Sequence, residues 1–294
     1  MRSSPYPVSV LIAMSLAVVA CSDAATKSDD TGPNGSFGTT TTVLEKPGVA
    51  LPAEIPAELV VTDLIAGAGP AADVGDDLLV HYVGVLTADG TEFDSNYDGD
   101  PIDFILGAGR VIQGWDRGLI GAQQGTRRQL DIPAALAYGD SPPNGGSGLI
   151  KAGAALSFVI DVVAVIPTAD ASEQPQITVA PAGNITVLQS TDLIVGDGPI
   201  PQDGQNVAIQ IMTYRADTGE LLASDWGVPP LKFSFSAQSL VYPGLLAAVK
   251  GMHVGGRRQA QLPFLLMFDG QGNADLGLPA GVDVVVVIDL VAVY

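Results

Sequence analysis

Asp94-Ser-Asn96-Tyr-Asp98-Gly99-Asp100 has the D-x-N-x-D-G opening of a calcium-binding loop, in which alternate side-chain oxygens converge on the ion. Such a loop closes on a bidentate glutamate at its twelfth position. Here that position is Ile105, so no metal is expected. His81 and His253 are the only histidines and occupy non-equivalent positions in the two copies, so neither a zinc centre nor a catalytic triad is expected. Gly107-Ala-Gly109 with Gly114 lacks the spacing and the βαβ context of a dinucleotide loop. The formal net charge of -19 leaves no basic cluster for phosphates, which excludes nucleic acid as a partner. Cys21 is the single cysteine and, read below as acylated, leaves no thiol for covalent catalysis.

The elements that would position a site are written twice. Thr62–Pro70 (TDLIAGAGP) returns as Thr191–Pro199 (TDLIVGDGP), Gly125-Thr-Arg-Arg-Gln as Gly255-Gly-Arg-Arg-Gln, and FVIDVVAV as VVIDLVAV near the end. A repeat of this length is a domain duplication, because solenoid and propeller repeats are much shorter. Within copy one, LVVTDLI, DDLLVHYVGVLT, RRQLDIP and LSFVIDVVAV alternate and are rich in Val and Ile, which predicts an antiparallel sheet with one buried face. A hairpin turn falls at Ala88-Asp-Gly90, followed by a polar loop. Only Trp115–Ala122 reads as helix. One sheet wrapped on one short helix is an α+β architecture.

HYVGVLTADGTEFDS (His81–Ser95), GRVIQGWDRGL (Gly109–Leu119) and AYG (Ala137–Gly139), followed by a Gly/Pro loop and LSFVIDV, resemble the FKBP-type peptidyl-prolyl cis-trans isomerases over essentially all of copy one. The resemblance implies two FKBP-like domains, each an antiparallel sheet around a short helix, and an isomerase that needs no cofactor. It implies a pocket formed by Tyr82, Phe93, Asp94, Phe104, Val111, Ile112, Trp115, Tyr138, Ile150 and Phe158, with Ile102 where an aromatic is common in the family. Trp115 would lie under the proline ring, Tyr82, Phe93 and Phe158 would wall the carbonyl, and Ile112 would offer a backbone N–H. Asp94 and the Tyr138 hydroxyl would supply the polar contacts. The implied partners are proline-containing exported polypeptides and rapamycin-type macrolides. Ile102, the long loop Asp140–Leu149 and Lys151-Ala152, in place of a proline pair, bear on preference among these ligands.

Copy two keeps the scaffold and changes the pocket. Ile211 stands opposite Tyr82, Leu222 opposite Phe93, Ala223 opposite Asp94, Leu245 opposite Trp115, Phe268 opposite Tyr138 and Val286 opposite Phe158, with Phe233 matching Phe104. A domain that folds without isomerising is expected.

Residues 1–20 have the layout of a signal peptide, and Val18-Val-Ala-Cys21 resembles a lipobox with Cys21 as the lipidation site. Residues 21–50 read as a flexible tether, 51–168 as the isomerase domain and 169–294 as the degenerate domain. Pro167–Gln176 is either a mobile joint or packed against one domain. The location this implies is extracytoplasmic, anchored to the bacterial cell membrane by lipid alone, or secreted or periplasmic without the anchor. A non-catalytic chaperone that holds unfolded chains, or a docking lipoprotein, is the competing function.

Overall fold

The structure is a computed structural model and describes residues 45–294; the expected signal peptide, Cys21 and most of the expected tether lie outside the described residues. Copy one contains β1 (Val60–Ile65), β2 (Ala68–Ala71), β3 (Asp77–Leu86), β4 (Glu92–Ser95), β5 (Ile102–Ile105), α1 (Gln113–Gly118), β6 (Gln123–Gln124), β7 (Arg127–Ile132) and β8 (Leu156–Ile166). Copy two contains β9 (Gln189–Ile194), β10 (Asn206–Arg215), β11 (Leu221–Ser224), β12 (Leu231–Ser234), α2 (Pro243–Val249), β13 (Arg257–Leu262) and β14 (Val284–Val293). Each copy has a six-stranded sheet, ordered β1-β7-β8-β3-β4 and β9-β13-β14-β10-β11, with β5 and β12 pairing β3 and β10. All of these pairs are antiparallel, as the alternation predicts.

Two elements differ from expectation. The stretch after the hairpin turn is not only a loop: it holds β4 and β5, four-residue edge strands too short and too charged to stand out by alternation. The helix runs Gln113–Gly118 rather than from Trp115 to Ala122, because Arg128 Nη1 donates to the carbonyls of Gly118 and Ile120 (2.9 and 3.0 Å) and closes its last turn. Arg258 does the same for α2 through Ala248 and Lys250.

These arginines explain the repeated motifs. Arg128 forks onto Asp63 of β1 (2.6 and 3.0 Å) and Arg127 onto Asp161 of β8 (2.7 and 2.7 Å). Arg258–Asp192 and Arg257–Asp289 are their counterparts. Bidentate pairs of this geometry tie neighbouring strands in register.

The central strands of each sheet, β3 and β8 in copy one and β10 and β14 in copy two, are buried on both faces, not one, while the edge strands β1 and β9 are exposed. Val83, Val85, Val159 and Ser157 on the outer face of copy one are covered, and residues 45–51 lie against that copy. There the Glu45 carbonyl accepts from Arg127, the Ala50 carbonyl from Gln129 (2.7 Å), and the Leu51 side chain fills the space beside Gly90. In copy two the cover is the segment after β8. Ala169, Ile177 and Val179 pack on Met212, Tyr214, Trp226, Val285 and Val287. Backbone bonds pin its ends: Gly227 N–H donates to Ala169 O (3.0 Å) and Ala182 N–H to Ala216 O (2.7 Å). The joint is therefore packed, and trypsin-free proteases of broad specificity are expected to spare 169–182 under native conditions; rapid cleavage there in a timed digest would contradict the packing.

The two copies also meet directly. Leu79, Ala164 and Ile166 form an apolar cluster with Ala208 and Ala292, and Lys232 of β12 bridges Asp77 (2.7 Å) and Asp103 (2.6 Å) of copy one. Burial pushes the Asp77 carboxyl up from its ordinary value, against the pull of Lys232.

Candidate functional site

Trp115 sits on α1 at 4% exposure, facing the inner side of the first sheet. The helix can lie that close because Gly114 faces Ile132: a Cβ on Gly114 would come within 2.5 Å of the isoleucine. Four rings surround the indole or one another in edge and tilted contacts. Tyr82 meets Trp115 at 5.2 Å and 80°, Phe158 meets it at 5.3 Å and 86°, and Phe104 at 5.8 Å and 50°. Phe93 stands edge-on to Phe158 at 5.6 Å. Such contacts are favourable beyond the area they bury.

Gly84 on β3 makes this crossing of rings possible, and sequence reading missed it. A Cβ there would lie 2.7 Å from both Phe158 and Phe93, so any side chain would separate the two rings. A glycine inside an otherwise regular strand pattern is the signal that could have marked it. Pairing aligns Gly84 with Asp94 and Phe158; in copy two Thr213 pairs with Ala223 and Val286, so the gap is filled where the rings are gone.

One polar pair crosses the site. The Tyr82 hydroxyl donates to Asp94 Oδ2 at 2.6 Å, and Asp94 Oδ1 accepts the Ser95 N–H at 2.9 Å. Burial, then the neighbouring Asp94, pushes the Tyr82 phenol well above its usual range. Asp94 and Asn96, which open the calcium-like motif, thus spend their side chains on the protein's own groups.

Ile112 precedes α1 with extended backbone; its carbonyl accepts the N–H groups of Trp115 (2.9 Å) and Asp116 (3.3 Å), while its own N–H bonds to nothing among the described residues. Asp116, another residue the sequence did not single out, receives the N–H groups of Gly107 and Gly109 (2.8 and 3.1 Å) and so holds the loop that presents Val111 and Ile112.

Of the expected residues, Phe104, Trp115, Ile150 and Phe158 belong to the core cluster, with Tyr82, Phe93, Val111 and Ile112 packed against it and partly exposed. Tyr138 and Ile102 stand outside the cluster, each 37% exposed, Ile102 on the same face of β5 as Phe104. Tyr138 is near enough to the Tyr82 phenol to contribute to its shift. The long Asp140–Leu149 loop makes a 3-10 turn at Pro143–Gly146 and is tied back by Lys151, which donates to the Gly146 carbonyl at 2.7 Å.

At the corresponding place in copy two, Leu245 replaces the indole and is buried, while Tyr242 and Phe268 pack against the same cluster and meet at 57° with centroids 4.7 Å apart. Tyr242 occupies the position of Ile112 ahead of α2 and brings in a phenol that the residue-by-residue comparison of pockets did not include.

A family model described as FKBP-type peptidyl-prolyl cis-trans isomerase matches residues 69–163 and 198–291. An FK506-binding protein of Streptomyces anulatus is 50% identical over 124 residues, which cover 42% of this chain and 98% of that protein. Peptidyl-prolyl cis-trans isomerase FKBP15-1 of Arabidopsis thaliana is 54% identical over 95 residues, 32% of this chain; the match spans 60% of the plant protein's length. Among solved structures, AtFKBP13 is 40% identical with a TM-score of 0.34, over 36% of this chain and 92% of that one.

Proposed function

Because the chain belongs to the family of FKBP-type peptidyl-prolyl cis-trans isomerases, we propose that copy one is its isomerase and that copy two is accessory. The observation that carries this reading is the ring set around Trp115 with its Tyr82–Asp94 pair, present in one copy and replaced in the other within the same scaffold.

Rotation about an X-Pro bond must give up amide resonance, the origin of the barrier of about 18–20 kcal/mol in ordinary peptides. In the twisted state the carbonyl oxygen loses negative charge and the nitrogen regains its lone pair, so the group is less dipolar than in either planar isomer. An apolar site therefore favours the twisted amide relative to water. Trp115 would seat the proline ring; Tyr82, Phe93 and Phe158 would surround the carbonyl; the free Ile112 N–H would hold the substrate backbone; Asp94 and Tyr138 would complete the polar contacts. Phe104, Val111 and Ile150 would line the proline end, with Ile102 at the rim. About 4–7 kcal/mol of differential stabilisation would give roughly 10³- to 10⁵-fold acceleration. The reaction requires no cofactor.

The substrates we propose are proline-containing segments of exported chains, met outside the cytoplasm by a protein tethered through Cys21; a rapamycin-type macrolide would compete for the same rings. Copy two suggests a holding role rather than turnover, because Leu240 and Leu265, at 73% and 69% exposure, add apolar surface while the ring set and the Tyr82–Asp94 pair of copy one are replaced.

Exchange NMR on an X-Pro peptide with the full chain tests the assignment. Asp94→Ala in copy one is expected to lower kcat/KM by about tenfold or more, and Tyr242→Ala in copy two to leave it unchanged. Equal losses from both, or an inactive parent, would contradict the reading.

A further inference from the structure

Asn96 lies outside the ring cluster and fills a break in the sheet. β4 pairs with β3 over Val83–Val85 and β5 pairs with it over Asp77–Val80, so His81 and Tyr82 face the loop between these edge strands rather than a strand. Asn96 supplies the missing bonds. Its backbone N–H donates to the Tyr82 carbonyl (3.2 Å), its Oδ1 accepts the Tyr82 N–H (2.7 Å), and its Nδ2 donates to the carbonyls of Val80 (3.0 Å) and Asp100 (3.3 Å). A single carboxamide thus joins the end of β4, the middle of β3 and the approach to β5. Those strands carry Phe93 and Asp94, Tyr82, and Phe104.

Copy two shows what the same niche does with another residue. Asp225 stands there; its N–H donates to the Ile211 carbonyl (3.2 Å) and its Oδ1 accepts the Ile211 N–H (2.6 Å), as in copy one. A carboxylate has no donor for the neighbouring carbonyls unless it holds a proton. The niche accordingly pushes the Asp225 carboxyl up to about 7, chiefly through burial.

We propose that Asn96 is a positioning residue for isomerisation: its carboxamide sets the Tyr82 backbone, and through it the Tyr82 hydroxyl and Asp94, in the place where the amide carbonyl is to be received. This rests on the reading of copy one as the isomerase. An acceptor alone would hold the Tyr82 N–H; the two donated bonds fix the loop relative to β3, and they separate asparagine from aspartate at this site.

The test is Asn96→Asp in the full chain, with kcat and KM for an X-Pro peptide followed between about pH 5 and pH 8 and folding checked by circular dichroism at each. Ionised, the new carboxylate keeps the acceptor and loses both donors. Protonated, it regains one. Asp94, Asp98 and Asp100 on the loop, His81 on β3, and the Asp161–Arg127 pair with Tyr97 behind it are common to parent and variant, so the variant-to-parent ratio isolates the new group. The expected result is a kcat ratio reduced about tenfold near pH 8 that recovers toward unity near pH 5, with KM little changed. A folded variant whose ratio stays at unity across the range overturns the proposal, as does a loss that ignores pH. Should N96D fail to fold near pH 8, Asn96→Ser decides: a hydroxyl too short to bridge to both carbonyls must also lower kcat, and parent-like kcat in N96S overturns the proposal. An inactive parent would instead remove the isomerase reading, and the proposal with it.

Discussion

Trp115→Ala is expected to cost copy one ~3–5 kcal/mol of stability, the range for emptying a large aromatic site in a packed core. The indole is almost wholly enclosed and is the common partner of Tyr82, Phe158 and Phe104, so its removal leaves three rings without their central contact. The glycines that let α1 approach the sheet make collapse into the void difficult: Gly114 and Gly118 already place backbone against Ile132 and Leu130, and the helix has little room to move further. Trp115→Leu, which installs the residue of copy two, should cost less because a branched side chain refills part of the volume. Urea unfolding followed by circular dichroism reads both values. The isomerase rate should fall in both variants by more than about tenfold, since leucine offers no flat face to the proline ring. A Trp115→Leu chain with parental turnover would sink the role given to the indole.

Asp225→Asn should have the second-largest effect, and in the opposite direction. Asp225 titrates at about 7 in the folded chain against 3.8 for its ordinary value, with burial as the main cause and Asp289 adding to it. Between those values the folded state holds a proton that the unfolded state has released. Stability from this group is therefore fully present below about pH 4 and drains away as pH rises toward 7, on the order of 3–5 kcal/mol in all. Asp63, Asp192 and Asp103 behave in the reverse sense, because their arginine or lysine partners hold them below the usual carboxylate value. What they contribute is lost only as pH falls through those lowered values, a separate window. Asparagine at 225 reproduces the donor and acceptor of Asn96 without a charge. Midpoints of unfolding measured from pH 4 to 8 should slope downward more steeply in the parent than in D225N, with the variant more stable near neutrality; parallel curves would refute the argument.

Much of the fold was legible because its strands alternate and because it is written twice. The long strands β3, β7 and β8 fall within a residue or so of the expected runs. The repeated TDLI, RRQ and VID segments turn out to be about scaffold: their Asp and Arg residues pair with one another across strands, and none enters the ring cluster. What the copies do not share is what distinguishes the site. β4 and β5 escaped notice because four residues are too few for a period to show. Asn96, Asp116 and Gly84 escaped because their work is spatial: each acts on residues that are distant in sequence or across a strand, and nothing in a lone Asn, Asp or Gly states which carbonyl or ring it will meet.

The covered outer faces bear on how such a module can be cut and moved. In both copies the covering segment precedes the sheet, 45–51 in the first and 169–182 in the second, and in copy two it lies well ahead of residue 198, where the family match begins. A copy excised at the family boundary would leave the backs of Met212, Tyr214 and Trp226 bare and would invite self-association. The complete structural unit is the cover together with the sheet that follows it, and a cut that respects only the enzyme-like part would leave an incomplete body.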